Sequence, residues 1–373
     1  MIIKNGKIVL LNHVIDCGYI VIEEGKIKLI MEGDCPFPGI DAYNLVIFPG
    51  FVDVHIHGSA GIDFMDASVS DYELISKSLY SEGVTTYLAT TLTSDTKSLE
   101  KVCRNVKEAR KENPSLYGIH FEGPYISSKY KGAQNEEFIR EPNIAEFDHL
   151  NEISGGNVRY ISLAPELKGS MNFIEHVSKQ GVVVSAGHSD ATFDDVKKAI
   201  QHGLTNTTHT HNAMSPHHHR HPGVVTAAMY FDEIFSELIC DRIHVCDNTI
   251  KTFYKVVGPD RLIMVTDALK IKHSNINEFT LFNLPCKRKD GAAYLLSGPL
   301  AGSLLTMDQG LRNMQEVCHL SLCELAKISS TNAARSLRLN DRGEINEGKL
   351  ADLVLLDHNL NVVQVYKEGK RVL

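Results

Sequence analysis

The chain has 373 residues, of which 43% are apolar and 23% charged, an ordinary composition for a globular protein. A net charge of −8 argues against nucleic acid or an anionic membrane as partner, and no apolar run approaches the length of a membrane span. Eight scattered cysteines without a Cys-x-x-Cys, and an N-terminus without a signal-peptide layout, point to reduced thiols and a cytoplasmic protein.

Residues 1–48 read as short strands. IIKNGKIVLL carries an Asn5-Gly6 turn signal and YIVIEEGKIKLI breaks at Glu24-Gly25. The C-terminal run ADLVLLDHNLNVVQVYKEGKRVL reads the same way. Neither piece buries a face alone, because an isolated hairpin is marginal in water. Both termini, 1–48 and 345–373, are therefore expected to form one small β-sandwich domain beside a catalytic domain spanning 49–344.

That central region alternates. Strands are expected at FVDVHIHG, GVTTYLAT, YGIHFEGP, RYISLAPE, GVVVSAGHS, TNTTHT, ELICDRIHV and RLIMVTDA. Helical patterns fall between several of them. Ser70 and Glu73 suggest a capping box for a helix stopping near Gly83. Leu99, Val102, Cys103, Val106 and Ala109 form a second stripe, Phe173, Ile174 and Val177 a third, and Val196, Ala199 and Ile200 a fourth. Eight strands separated by helices or long loops imply an α/β fold of the (β/α)8 barrel type. A doubly wound sheet is the runner-up, but no Gly-x-Gly-x-x-Gly follows an early strand.

In such barrels the chemistry sits at strand C-terminal ends. His55 and His57 leave one face at the end of the first strand, and two such imidazoles suit zinc or iron. Glu122, His188, His209, His244 and Asp267 end strands 3, 5, 6, 7 and 8. Each has a plainer alternative: the two histidines as a structural pair, Glu122 facing solvent, Asp267 capping a helix. Together they point to a divalent-metal site with an acid/base carboxylate.

The segments PGFVDVHIHG, HFEGPY, LAPE, SAGHS, THTHNAM, HRHPG, DRIHV, VTDA and LAGSLLTM resemble the motifs of the N-acetylglucosamine-6-phosphate deacetylases, within the amidohydrolase superfamily. The resemblance runs from about residue 46 to 350. It implies metal-dependent hydrolysis of the acetamide of a phosphorylated amino sugar, with one or two zinc or iron ions per subunit. By that resemblance Glu122, His188 and His209 bind the main ion, His55 and His57 add a second position, and Asp267 is the acid/base beside the metal. His244, Asn212, Ala213, Arg220, the Ala133-Gln134 loop and a turn at Leu300-Ala301-Gly302 match substrate-contacting positions. A homodimer is implied, the arginine reaching the neighbouring subunit's site. The alternatives are an N-acetylgalactosamine 6-phosphate substrate, or an amidohydrolase acting on N-acyl amino acids or cyclic amides.

The residues make independent sense. A carboxylate and two imidazoles leave a coordination position open, and such a cation lowers the pKa of water from about 15.7 to about 7. Two departures stand out. His211 follows His209 at two residues and competes with it as a ligand, although Asn212-Ala213-Met214 favours His209 by register. Arg242 occupies a position where the family commonly has glycine, and is expected to alter the pocket. The tract His217–His221 is expected to be a polar loop rather than a metal site, with Arg220 meeting phosphate.

Overall fold

The computed structural model describes residues 1–281 and 283–373. Eight parallel strands lie side by side in chain order: Phe51–Asp53, Val84–Thr91, Leu116–Glu122, Val158–Leu163, Val183–Ala186, Leu204–Thr207, Phe235–Ile239 and Leu262–Val265. The first and last meet through a parallel bridge between Ile56 and Ala268. The Asp53 carboxylate seals that seam by accepting from Thr266 Oγ1 at 2.6 Å. The result is the expected barrel. Its strands are buried on both faces without alternation, as in Val84–Thr91, where every residue is buried, four threonines included. A parallel strand with helices on one face and a filled barrel on the other has no side for water.

Eight helices follow the eight strands and cover the barrel. The second, Thr96–Ala109, buries Leu99, Val102, Cys103, Val106 and Ala109, and its N-cap Asp95 accepts from the Ser98 amide. The fifth, Phe193–His202, opens on a Thr192/Asp195 capping box and closes at Gly203 with φ 112°. The capping box expected at Ser70 and Glu73 does not form. Ser70 is already helical (φ −69°, ψ −25°), so its hydroxyl cannot reach forward to cap the helix Asp71–Tyr80. Contacts in one direction begin two residues earlier, where both Ser68 N and Ser68 Oγ donate to Asp71 Oδ2 at 2.7 Å.

Strands from both termini join in one eight-stranded sheet: Ile2–Val9, Val14–Glu23, Lys26–Glu32, Ile40–Asp41 and Val46–Pro49 with Leu353–Leu356, Val362–Lys367 and Lys370–Arg371. The sheet curls, since Ile27 N donates to Lys349 O at 2.8 Å and Ala351 N to Gly25 O at 2.8 Å. Ile3, Ile8, Ile20, Ile47, Leu353 and Tyr366 fill the inside of that curl.

The sequence reading did not foresee a four-stranded antiparallel sheet of Glu278–Leu281, Leu284–Lys289, Ala292–Leu295 and Leu300–Ser303, inserted between the eighth barrel strand and the helix Met307–Cys318. Asp290-Gly291, with φ 48° and 83°, is the hairpin signal that went unread. Leu300–Gly302, expected as a turn, belongs to the last of these strands. Its neighbour Ser303 donates its amide to Asp267 O at 2.9 Å, which docks the insertion on the barrel mouth. Among the described residues no helix is long and apolar enough to cross a membrane.

Candidate metal centre and active site

At the C-terminal mouth of the barrel a glutamate and four imidazoles converge. Glu122, last residue of the third strand, turns one oxygen to His188 Nε2 and His209 Nε2, each at 3.1 Å. His55 Nε2 lies 3.3 Å from that oxygen, and His57 Nε2 lies 3.4 Å from the other. Asp267 stands opposite, its Oδ1 3.1 Å from His57 Nε2 and 3.5 Å from His55 Nε2. All six are buried. The backbone bends sharply to aim them: His188, His209 and Asp267 have φ of 51°, 30° and 47°. Left-handed conformations outside glycine store strain and collect at functional sites. Behind Glu122 only glycine fits, because a Cβ on Gly123 would stand 2.1 Å from Thr93 Oγ1.

Electrostatics match the geometry. Burial alone would raise the Glu122 carboxyl, but His55, His188 and His209 hold it well below the ordinary carboxylate range. Burial also works against Asp267, and His55 and His57 overcome it to keep that acid ionised. His57, despite burial, is raised to about 9 by Asp267 and Glu122.

The donor set fits a divalent cation. His188 Nδ1 meets the Tyr130 carbonyl at 2.9 Å, which requires an N–H there and leaves the Nε2 lone pair facing inward. His188 Nε2 and His209 Nε2 then approach to 3.2 Å around one carboxylate oxygen. His55 Nε2 is buried with no hydrogen-bond partner. Lone pairs and carboxylates crowded this closely call for positive charge between them. Ligand atoms of Glu122, His188 and His209 lie within 4.8 Å of one another, as do those of His55, His57 and Glu122, and of His55, His209 and Asp267.

The centre opens into a cavity lined by His57, Glu122, His188, His209 and Asp267 together with Ala133, Gln134, Asn212, Ala213, His244, Leu300, Ala301 and Gly302. Leu92, Gly132 and Leu281, not foreseen from the sequence, also line it. The Gln134 side chain is committed within the site: its amide donates to Glu122 Oε2 at 2.5 Å, and its oxygen accepts from Thr93 N. His244 lies not at the end of the seventh strand but five residues past Ile239, on the following loop. There Asp241 accepts from its Nδ1 at 2.6 Å and its backbone amide at 2.8 Å. His55 and His57 likewise follow the strand Phe51–Asp53 rather than ending it.

Other expectations fall elsewhere. Arg220 is exposed and absent from this cavity; it borders a separate one with Tyr130, Asp190 and Phe193. His211 turns from the centre and packs edge-on against Phe253 at 4.8 Å, and burial pushes its imidazole down to about 4. Arg242 does not line the pocket either. It sits at φ 67° and bonds to Asp247 and Glu316, so it ties the helix Asp247–Val257 to the helix Met307–Cys318. The rings of His218 and His219, and of His218 and His221, stack with centroids 4.6 and 5.2 Å apart, and His218 Nδ1 accepts from the Arg220 and His221 amides. Glu237, Tyr160 and Asp241 were missed. The available signal was a carboxylate inside FSELI, a run otherwise built for burial.

Residues 46–372 match the Amidohydrolase family. The chain is 38% identical over 327 residues to the N-acetylglucosamine-6-phosphate deacetylase of Lysinibacillus sphaericus, covering 87% of this chain and 84% of that protein. It superposes on the N-acetylglucosamine-6-phosphate deacetylase of Thermotoga maritima with a TM-score of 0.93 at 39% identity, covering 100% of this chain and 99% of that one. A mutant of the Mycobacterium smegmatis deacetylase, solved with N-acetyl-D-glucosamine-6-phosphate bound, matches with a TM-score of 0.96 at 29% identity, over 100% and 99%.

Proposed function

The chain belongs to the amidohydrolase family, and we propose that it hydrolyses the acetamide of N-acetylglucosamine 6-phosphate to glucosamine 6-phosphate and acetate. The observation that carries the proposal is the Glu122–His188–His209 centre with Asp267 beside it at the barrel mouth. Glu122, His188 and His209 would hold the main ion, zinc or iron, and His55 and His57 would offer a second position. When bound, the cation supplies the Lewis acidity that makes hydroxide available near neutral pH.

The chain's own groups perform the proton chemistry. Asp267, ionised beside His55 and His57, accepts the proton released as water adds to the acetamide carbon. It returns that proton to the sugar nitrogen as the C–N bond breaks, so the amine departs neutral. Asp241 fixes His244 by its Nδ1, which leaves the other ring nitrogen for the acetamide oxygen or a sugar hydroxyl. Asn212, Ala213, Ala133, Leu300, Ala301 and Gly302 border the space for the sugar.

Phosphate is assigned to Arg220, whose guanidinium suits bidentate oxyanion recognition. Because that arginine lies outside its own chain's cavity, the proposal includes a homodimer in which it serves the neighbouring site. The terminal sheet, 1–48 with 345–373, is proposed as one β-domain beside a catalytic barrel of 49–344, and the cytoplasm as the compartment. Steady-state assay of the purified protein on N-acetylglucosamine 6-phosphate and N-acetylgalactosamine 6-phosphate, with metal analysis, is the test. A higher kcat/KM on the glucosamine substrate is expected, and absence of acetate release from it would end the proposal.

A further inference from the structure

We propose that Glu237 is the positioning residue that makes His55 a metal ligand, and thereby governs filling of the second cation position beside His57 and Glu122. The inference rests on the metal-dependent reading above. Glu237 lies in the seventh barrel strand, wholly buried and outside the substrate cavity. Its Oε2 accepts from His55 Nδ1 at 3.0 Å and from the His209 backbone amide at 3.1 Å. Its Oε1 accepts from Tyr160 OH at 2.5 Å.

Three donors on one carboxylate settle the tautomer. With Nδ1 committed as donor to Glu237, Nε2 is the nitrogen of His55 that can carry the lone pair once a cation replaces its proton. That nitrogen points between two other carboxylates, 3.3 Å from Glu122 and 3.5 Å from Asp267. A lone pair facing two carboxylates is stable only with positive charge between them. Glu237 therefore presents the correct nitrogen and also raises its basicity, the usual service of a carboxylate behind a metal-binding imidazole. The surrounding barrel interior argues for a specific purpose. His120, Ser162, Ser185 and Thr208 satisfy one another there as neutral groups, with contacts of 2.6–2.7 Å. A buried charge in that layer is costly unless it is paired and hydrogen-bonded, and the partners of Glu237 are His55, the His209 amide and Tyr160.

The test uses whole protein stripped of metal and titrated with Zn2+ or Co2+ alone, with ions per chain counted by elemental analysis. Parent, Glu237→Gln, Glu237→Asp, His55→Ala and the Glu237→Gln/His55→Ala double variant are compared, and circular dichroism confirms folding. Gln keeps the volume and loses the charge, whereas Asp keeps the charge and loses the reach. Either should bind the second ion roughly 10- to 100-fold more weakly than the parent, with the first retained. The double variant should bind no more weakly than His55→Ala. Parental second-ion affinity in a folded Glu237 variant overturns the proposal, as does a further loss in the double variant. A parent whose metal binding ignores His55→Ala overturns it too. These counts are read without substrate, so an inactive parent would count against the deacetylase reading and leave the Glu237 result standing.

Discussion

The Nε2 atoms of His188 and His209 lie 3.2 Å apart, and each is 3.1 Å from the same oxygen of Glu122. The two histidines follow neighbouring strands, and left-handed backbone at both, φ 51° and 30°, brings their rings to one point. Exhaustive chelation is expected to abolish activity, and added zinc or iron to restore it. Glu122→Gln should bind the main ion at least about tenfold more weakly. Full activity in protein with no metal by elemental analysis would sink the assignment.

Asp267→Asn keeps shape and volume but removes the basic oxygen. We expect kcat to fall by at least about a hundredfold, the low end of general acid–base contributions, with KM little changed. Near-parental kcat would make His244 the next group to test.

Arg220→Ala should raise KM for the phosphorylated sugar far more than for unphosphorylated N-acetylglucosamine, because charge-assisted bonds are lost only with the former. Since Arg220 lies outside its own chain's cavity, mixing Arg220→Ala with Asp267→Asn protein should recover activity through hybrid dimers. Equal KM effects on both substrates would remove the arginine from phosphate recognition.

His211→Phe should keep parental metal content and activity within a few-fold. The ring rests on Phe253, and its buried Nε2 has no partner to lose. Loss of the main ion in this variant would transfer the ligand role from His209 to His211.

Away from the site, Glu82 accepts from Lys272 Nζ at 2.6 Å and from Met307 N at 2.8 Å, both acid and lysine being buried. Burial opposes its ionisation, but Lys272 and His273 win and hold the carboxyl below its ordinary 4.5. Its stabilisation is therefore complete above that ordinary value and disappears as pH falls through the lowered folded one. Glu82→Gln leaves Lys272 buried and unpaired, a loss of about 3–5 kcal/mol. Thermal melts should show a large Tm deficit at pH 7 that narrows on acidification. A deficit unchanged by pH would refute the ion-pair account.

Much of this protein was legible in the sequence because its signals are local. Short β-prone runs, helical stripes and glycine stops prescribe the alternation of the barrel. Metal-competent residues such as Glu122 and His209 stand at or just past strand ends because that is where a parallel barrel exposes side chains to a common mouth. What the sequence could not decide is which atoms converge. His209 and His211 are equivalent by residue type, and only the backbone turn at His209 sends one to Glu122 and the other to Phe253. Arg242 reads as a pocket residue until its loop turns it towards Asp247 and Glu316. Glu237 and Tyr160, 77 residues apart, meet behind His55. Spacing along a chain encodes the face of an element, which is a property of a few neighbouring dihedrals. Convergence depends on barrel closure and strand stagger, which are set by packing across the whole domain.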